Sequence, residues 1–379
     1  MRASELTWST AETWKGDQIE SDSVDLVLYF GARRTLAEKA RFDELRKIFP
    51  NAHVLGCSTG GQIHNGDVVD DKITALAICF DSTKLKLVCE PVASADESFV
   101  CGATIGRALK ADDLAGIFVL SDGLNVNGSK LVAGITSVVG RKISLTGGLA
   151  GDGAEFSETL IGADDPPRAR RVAAIGFYGS AIRIGHGCAG GWDVFGPRRS
   201  ITKSAGNVLL ELDGEPALDL YERYLGEEDA KGLPGSALLF PLQVCDPSQA
   251  DSEIMRTVLA VDREKRTMTF AGDMPEGWIA QLMHGNFDRL SAGAADAARQ
   301  AQSGIGEGES VAILVSCIGR RLLMGQRISD EIEAASAALG SKTRSLGFYS
   351  YGEISPHAPS GACELHNQTM TITTFHEAA

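Results

Sequence analysis

The chain has 379 residues, of which 44% are hydrophobic and 23% charged, a length suited to two domains and a composition that can bury cores. With 36 basic and 50 acidic residues its net charge is −14. That excludes the basic surface a nucleic-acid binder needs to release counterions, and electrostatic docking on an anionic membrane. No apolar run approaches the roughly 18 residues of a membrane span, and residues 1–10 lack the apolar region of a signal peptide. None of the eight cysteines stands in a Cys-x-x-Cys pair, so free thiols in the reducing cytoplasm are expected.

In chain order, residues 26–30 read as a strand ending in Gly31-Ala32. Residues 35–49 carry helical spacing (Leu36, Ala40, Leu45, Ile48) and stop at Pro50. A second strand, 53–55, runs into Gly56-Cys57-Ser58-Thr59-Gly60-Gly61. Residues 74–80 and 84–90 read as a hairpin around Asp81-Ser82-Thr83. A helix over 98–109, a strand over 117–120 ending in Ser121-Asp122-Gly123, a helix over 130–139 and a strand over 143–145 follow. The last of these runs into Gly147-Gly148-Leu149-Ala150-Gly151-Asp152-Gly153. Beyond the loop 164–168, residues 171–178 and 181–184 read as paired strands, and 185–197 is a glycine-rich stretch. Residues 200–212 read as strand, bend, strand, and a helix starts near Ala217 behind Pro216. The second half offers a strand over 237–244, a hairpin of 256–261 with 267–271, and an alanine-rich amphipathic helix over 286–302. A buried strand over 311–316, a helix over 322–339, a strand over 345–353 and a closing strand over 364–375 complete it. Strands alternating with helices predict an α/β (mixed α+β) architecture: two layered α/β domains with mixed sheets, 24–212 and 213–379, behind a segment 1–23. No short-period repeat is visible.

Several strands end in a small-residue turn carrying one polar side chain, the place where open α/β sheets bind ligands. Glycine there lets backbone N–H groups approach a ligand, although glycine also simply closes tight turns. None of these turns matches a P-loop or a dinucleotide fingerprint. Cys317, between an apolar strand and Gly319-Arg320, is either a packed thiol or a nucleophile with His366 as base; Cys57 has the same standing. Either would make the chain a cysteine-dependent hydrolase or transferase. Asp122, Asp152, Glu353 and Arg320 lie beside glycines. They either fix turns or together hold a zwitterion, Arg320 and backbone N–H groups taking a carboxylate and an acid taking an ammonium. No histidine pair has zincin spacing. His366 is read as a structural histidine, or, if it faces a cavity, as a ligand to haem iron.

Taken in order, these motifs resemble the FIST family, an N-terminal FIST domain followed by a FIST C-terminal domain. In the first half the resemblance rests on Gly56 to Gly61, Ser121-Asp122-Gly123, Gly147 to Asp152 and Gly191-Trp192. In the second it rests on Ser316-Cys317-Ile318-Gly319-Arg320, Gly347 to Ile354 and His366-Asn367-Gln368-Thr369. The resemblance implies an intracellular sensory module of signal transduction that binds a small ligand such as an amino acid. Both halves are used by sensory domains, so signalling would run through a separate partner such as a histidine kinase. One branch of the family is described as haem-binding nitric-oxide sensors; His366 or His186 would then hold the iron. The ligand-binding positions expected are Cys57, Ser58, Thr59, Gly60, Asp122, Gly148, Asp152, Cys317, Arg320, Glu353, His366 and Asn367, with no nucleic acid and no membrane insertion.

Overall fold

Alternate residues of the strand Leu26–Gly31 enter two different cores, because the strand is covered on both faces. Leu26, Leu28 and Phe30 point into a core at the centre of the molecule. Val27 and Tyr29 point outward, against Phe42 and Leu45 of the helix Lys39–Ile48. The same division recurs twice along the chain. Phe118 and Leu120 enter the central core while Ile117 and Val119 meet the helices Ser98–Leu109 and Gly128–Val139. Val311, Ile313 and Val315 enter it while Ala312 and Leu314 meet Phe287–Gln302 and Ile328–Leu339. The computed structural model describes residues 1–16, 20–249, 253–306, 308–357 and 361–378.

Three sheets surround this central core, and their topology is the same. Each has a parallel pair in the middle: Leu26–Gly31 with His53–Ser58, Leu114–Ser121 with Ser144–Leu149, and Ser310–Cys317 with Thr343–Ser350. An antiparallel strand flanks the first member of each pair: Ile73–Cys79, Arg171–Tyr178 and Met370–Glu377. Beyond it lies Arg2–Trp8, Lys84–Pro91 or Ile182–Ala189. The strand beside the second member comes from a different unit. Ile161–Ala163 pairs with His53–Ser58, Gly352–Pro356 with Ser144–Leu149, and Gln62–His64 with Thr343–Ser350. The chain is thus a pseudo-threefold barrel of three units, each passing one strand to a neighbour. A fourth sheet, of eight strands around its own core, is inserted into the third unit between Ile182–Ala189 and Phe287–Gln302.

The mixed α/β class holds, and so do many local elements. The helix Ser98–Leu109 has the expected bounds. The alanine face of Phe287–Gln302 is buried at Leu290, Ala294, Ala297, Ala298 and Ala301, behind an N-cap in which Asn286 accepts the Asp288 and Arg289 N–H groups. The hairpin Val258–Asp262 with Thr267–Phe270 forms. Pairing differs from expectation wherever a strand changes sheet. Ile73–Cys79 and Lys84–Pro91 are not a hairpin, and Arg171–Tyr178 does not pair with Ile182–Ala189. The strands expected over 345–353 and 364–375 are each two strands in two sheets. The helix expected over 35–49 is broken between Leu36 and Lys39, and that over 322–339 between Met324 and Ile328. Residues 237–244 are a short 3₁₀ turn followed by the strand Leu242–Cys245. The glycine-rich stretch 185–197 is strand on both sides of Gly190-Gly191. Among the described residues, no helix is long and apolar enough to cross a membrane.

The turn at 81–83 is held by a side chain from the other end of the chain. The Glu377 carboxylate accepts the N–H groups of Asp81, Ser82 and Thr83 at 2.6–2.8 Å and the Thr83 hydroxyl at 2.8 Å. Burial opposes its charge, but these donors prevail and hold its pKa to about 2. A carboxylate depressed below its unfolded value stabilises the fold above the unfolded pKa, here 4.5, and loses that contribution as pH falls toward 2. At about 1.4 kcal/mol per pH unit the contribution is about 3 kcal/mol at neutral pH. Urea denaturation of Glu377→Gln should show up to this deficit at pH 7 and a much smaller one at pH 3; equal deficits at the two pH values would refute the assignment.

Candidate functional site

The carboxyl ends of the three parallel strand pairs meet at one end of the barrel. Three backbone hydrogen bonds join them in a ring: Gly60 N–H donates to the Tyr349 carbonyl (2.8 Å), Gly151 N–H to Ser58 (2.9 Å) and Tyr351 N–H to Leu149 (3.1 Å). The ring identifies equivalent positions in the three units. Thr59, Ala150 and Ser350 correspond, as do Gln62, Gly153 and Glu353. The Thr59 hydroxyl lies 2.7 Å from the Gln62 amide, and the Ser350 hydroxyl donates to Glu353 at 2.7 Å, so two of the three units repeat the same contact.

Two hollows open around this convergence. The smaller, about 190 Å³, is lined by Arg33, Thr59, Gly60, Asp70, Asp152 and Arg321 among others. Here Asp152 ion-pairs with Arg33 and accepts hydrogen bonds from Tyr351, Ser157 and the Glu158 N–H. Burial disfavours its charge, yet these donors hold its pKa below the ordinary range. The larger hollow, about 470 Å³, is a cleft between the strand ends of the second and third units and the inserted sheet. One wall carries Gly123, Asn127, Leu149, Phe156, Tyr351 and Cys317 to Gly319; the other carries Leu238, Thr257, Val258, Leu259 and Phe270 of the insert. Phe156 and Tyr351 stack with ring centroids 4.7 Å apart. Leu124, Phe156 and Leu259, three of the exposed large apolar side chains, all line this cleft.

Of the residues expected to bind ligand, the structure brings Thr59, Gly60 and Asp152 together in the smaller hollow and places Cys317 on the cleft. Others serve the fold. The Asp122 carboxylate accepts the N–H groups of Leu124, Asn125 and Arg170, fixing the turn beside the cleft. The Arg320 guanidinium is fully buried and its donors go to Glu331 and to the carbonyls of Gly190, Leu290 and Gln368, which leaves none directed at a ligand carboxylate. The Ser58 hydroxyl accepts the Leu160 N–H. Gly148 packs on Val315 and Phe348, where a Cβ would collide. Cys57 lies in the central core, and burial pushes its thiol well up. Burial and the Glu353 charge likewise raise the Cys317 thiol, the reverse of the depressed pKa an activated nucleophile needs. Glu353 is completely buried; burial raises its pKa to about 8 although Ser350 and Thr369 donate to it.

His366 lines a separate hollow of about 270 Å³, with His357, Cys188 and Thr369. Its Nε2 lies 3.0 Å from the Ser355 carbonyl, and burial, helped by nearby His357, pushes its pKa down to about 3. The hollow lies just below the roughly 300–1,000 Å³ of ordinary ligand pockets, and His366 Nε2 is engaged by the Ser355 carbonyl. His186 is half-buried within the strand Ile182–Ala189, and burial lowers its pKa. Asn367, beside Gly352, is buried with neither amide atom partnered. The insert's contribution to the cleft, Thr257 and Phe270 above all, left no signal in the sequence beyond a hairpin pattern. Tyr351 stood inside a family motif, and Phe156, stacked on it in the same wall, did not.

Comparison with known proteins gives a curated relative, a solved structure and two family models. An uncharacterised protein of Methanocaldococcus jannaschii is 28% identical over 199 residues, 49% of this chain and 37% of its own. The match thus spans little more than a third of that relative. A solved structure of cyanuric acid hydrolase from A. caulinodans aligns over 79% of this chain and all of its own at 12% identity. Its TM-score is 0.19, and a likeness that weak carries no argument. The FIST N domain matches residues 25–215 and the FIST C domain residues 217–356. FIST domains are associated with the sensing of small ligands in signal transduction. With both domains present in order over most of its length, the chain belongs to the FIST family.

Proposed function

We propose that the chain is a cytoplasmic sensor whose small ligand sits in the 470 Å³ cleft between the barrel and the insert, and that a separate partner such as a histidine kinase reads the insert's position. The observation that carries this reading is the double ownership of the cleft: one wall is barrel and the other is insert. A ligand touching both has different affinity for states in which the two are apart or together, which is the requirement for shifting their equilibrium. Few polar contacts tie the insert down across this face. Arg256 donates to the Leu365 carbonyl at 3.0 Å, Asn127 donates to Asp273 at 3.0 Å, and Gln368 reaches the Leu238 carbonyl at 3.4 Å. All eight cysteines are free thiols, in keeping with a reducing compartment.

The test is a thermal-shift screen of the whole chain against a broad metabolite panel, followed by amide hydrogen exchange with any hit. A true ligand at one hundred times its Kd adds about 2.7 kcal/mol of stability, and protection should appear on both walls of the cleft. A panel without a single stabilising compound, or protection confined to sites away from the insert, would overturn the proposal.

A further inference from the structure

The cleft is walled without charge. Among the described residues that line it there is no Asp, Glu, Lys, Arg or His. The Cys317 thiol on its floor is held neutral by burial, and the Asp122 carboxylate beneath it is turned into its own loop. An ammonium or carboxylate placed there would lose water and gain no counter-charge. The surfaces offered instead are flat and apolar. Phe156 stacks on Tyr351 with the two planes 13° apart and is 47% exposed, and Val258, Leu259 and Phe270 of the insert complete the lining. Aromatic faces at this spacing favour a further ring in an offset stack.

Two buried polar atoms lack a protein partner, one on the cleft wall and one behind it. The Thr257 hydroxyl belongs to a residue that lines the cleft and is 5% exposed. Gln368 Oε1 is completely buried beside Gly319, another lining residue; a Cβ on Gly319 would sit 2.8 Å from it. Gly319 is therefore glycine because the Gln368 amide occupies the space a side chain would take. Buried polar atoms are rarely left unpaired in native structures, and a ligand hydrogen-bond donor would pair the Thr257 hydroxyl oxygen on the cleft wall.

From these observations we infer that the ligand of the proposed sensor is an uncharged, planar, aromatic or heteroaromatic molecule with a hydrogen-bond donor, not a zwitterionic amino acid. This inference rests on the cleft being the sensing site. The assignment is tested with three probes that share one ring system and differ in charge: indole, indole-3-acetate and L-tryptophan. Calorimetry on the full chain should give indole the highest affinity, with each charged probe weaker by about tenfold or more, a penalty of about 1.4 kcal/mol for the uncompensated charge. Phe156→Ala, at an exposed position that leaves the fold intact, should weaken indole by about tenfold. Thr257→Val should weaken it while leaving binding of 1-methylindole, which lacks the N–H, unchanged. Tryptophan or indole-3-acetate binding as tightly as indole, with the same loss in Phe156→Ala, overturns the charge assignment and leaves the sensor reading standing. Absence of binding by all three overturns the inference; a hit in the broader screen with protection across the cleft then preserves the sensor reading, and a blank screen removes both.

Discussion

Glu331→Ala should destabilise the protein by about 3–5 kcal/mol, the cost of leaving a buried charge without its partner. Glu331 and Arg320 are both completely buried. The carboxylate receives the Arg320 Nε at 2.9 Å and Nη2 at 2.7 Å, the Ser316 hydroxyl at 2.9 Å and the Tyr349 hydroxyl at 3.0 Å. Through Arg320 it also anchors the carbonyls of Gly190, Leu290 and Gln368, so one carboxylate organises the third unit, the root of the insert and the loop before the last strand. Glu331→Gln keeps acceptors for Ser316 and Tyr349 and should fall between wild type and alanine. The double variant Arg320→Met with Glu331→Leu should cost less than Glu331→Ala alone, because it removes both charges together. Chemical denaturation of the four proteins decides the matter. A single alanine variant within 1 kcal/mol of wild type would show that the pair does not hold the fold.

Glu353 should tilt stability in the opposite sense to Glu377 and over a different range. Its pKa is raised by burial to about 8 from an ordinary 4.5. The folded state therefore keeps a proton that the unfolded state releases between these values. A group raised in this way contributes most below the unfolded pKa, and its contribution disappears as pH rises through the folded one. Between pH 4.5 and 8 wild-type stability should fall by an amount on the order of 4 kcal/mol from this residue. Glu353→Gln, which imitates the protonated side chain, should flatten that slope and be the more stable protein at pH 8. Stability differences between wild type and Glu353→Gln that stay constant from pH 5 to pH 9 would rule out a buried, proton-holding carboxylate.

Local pattern was legible in this sequence, and long-range pairing was not. The helix 98–109 and the helix 287–302 announce themselves through spacing and caps. Nothing local announces that residues 345–353 cross from one sheet to another. The run Ser345 to Glu353 reads as one strand with no proline in it, yet Tyr351 gives its N–H to Leu149 of another unit, and the pairing changes there. The last strand hides a similar break at Gln368, which takes a positive φ of 60° in the middle of an apparently regular alternation. The threefold repeat escaped for a related reason. Equivalent positions such as Gly31, Ser121 and Ser316 share geometry without sharing residue type, and the third copy is split by the insert. For the site, the small turns did mark the strand ends that converge. Which polar side chains face outward from those turns depended on partners that no spacing reveals: Arg320 turns to Glu331, and Asp122 to its own loop. The cleft's second wall belongs to the insert, whose residues read as an ordinary hairpin and helix.

The exchange of strands among units has a consequence for how the polypeptide is born. As it leaves the ribosome, the first unit has its parallel pair by residue 58, but its sheet is unfinished until Ile161–Ala163 emerges. The second sheet waits for Gly352–Pro356, and Gln62–His64, paired locally with Asp67–Val69, keeps its other edge open until Thr343–Ser350 appears. Closing such distant pairs is slow. Nascent chains therefore expose unpaired strand edges through most of translation, and reliance on holding chaperones during synthesis follows from the way the barrel is interlocked.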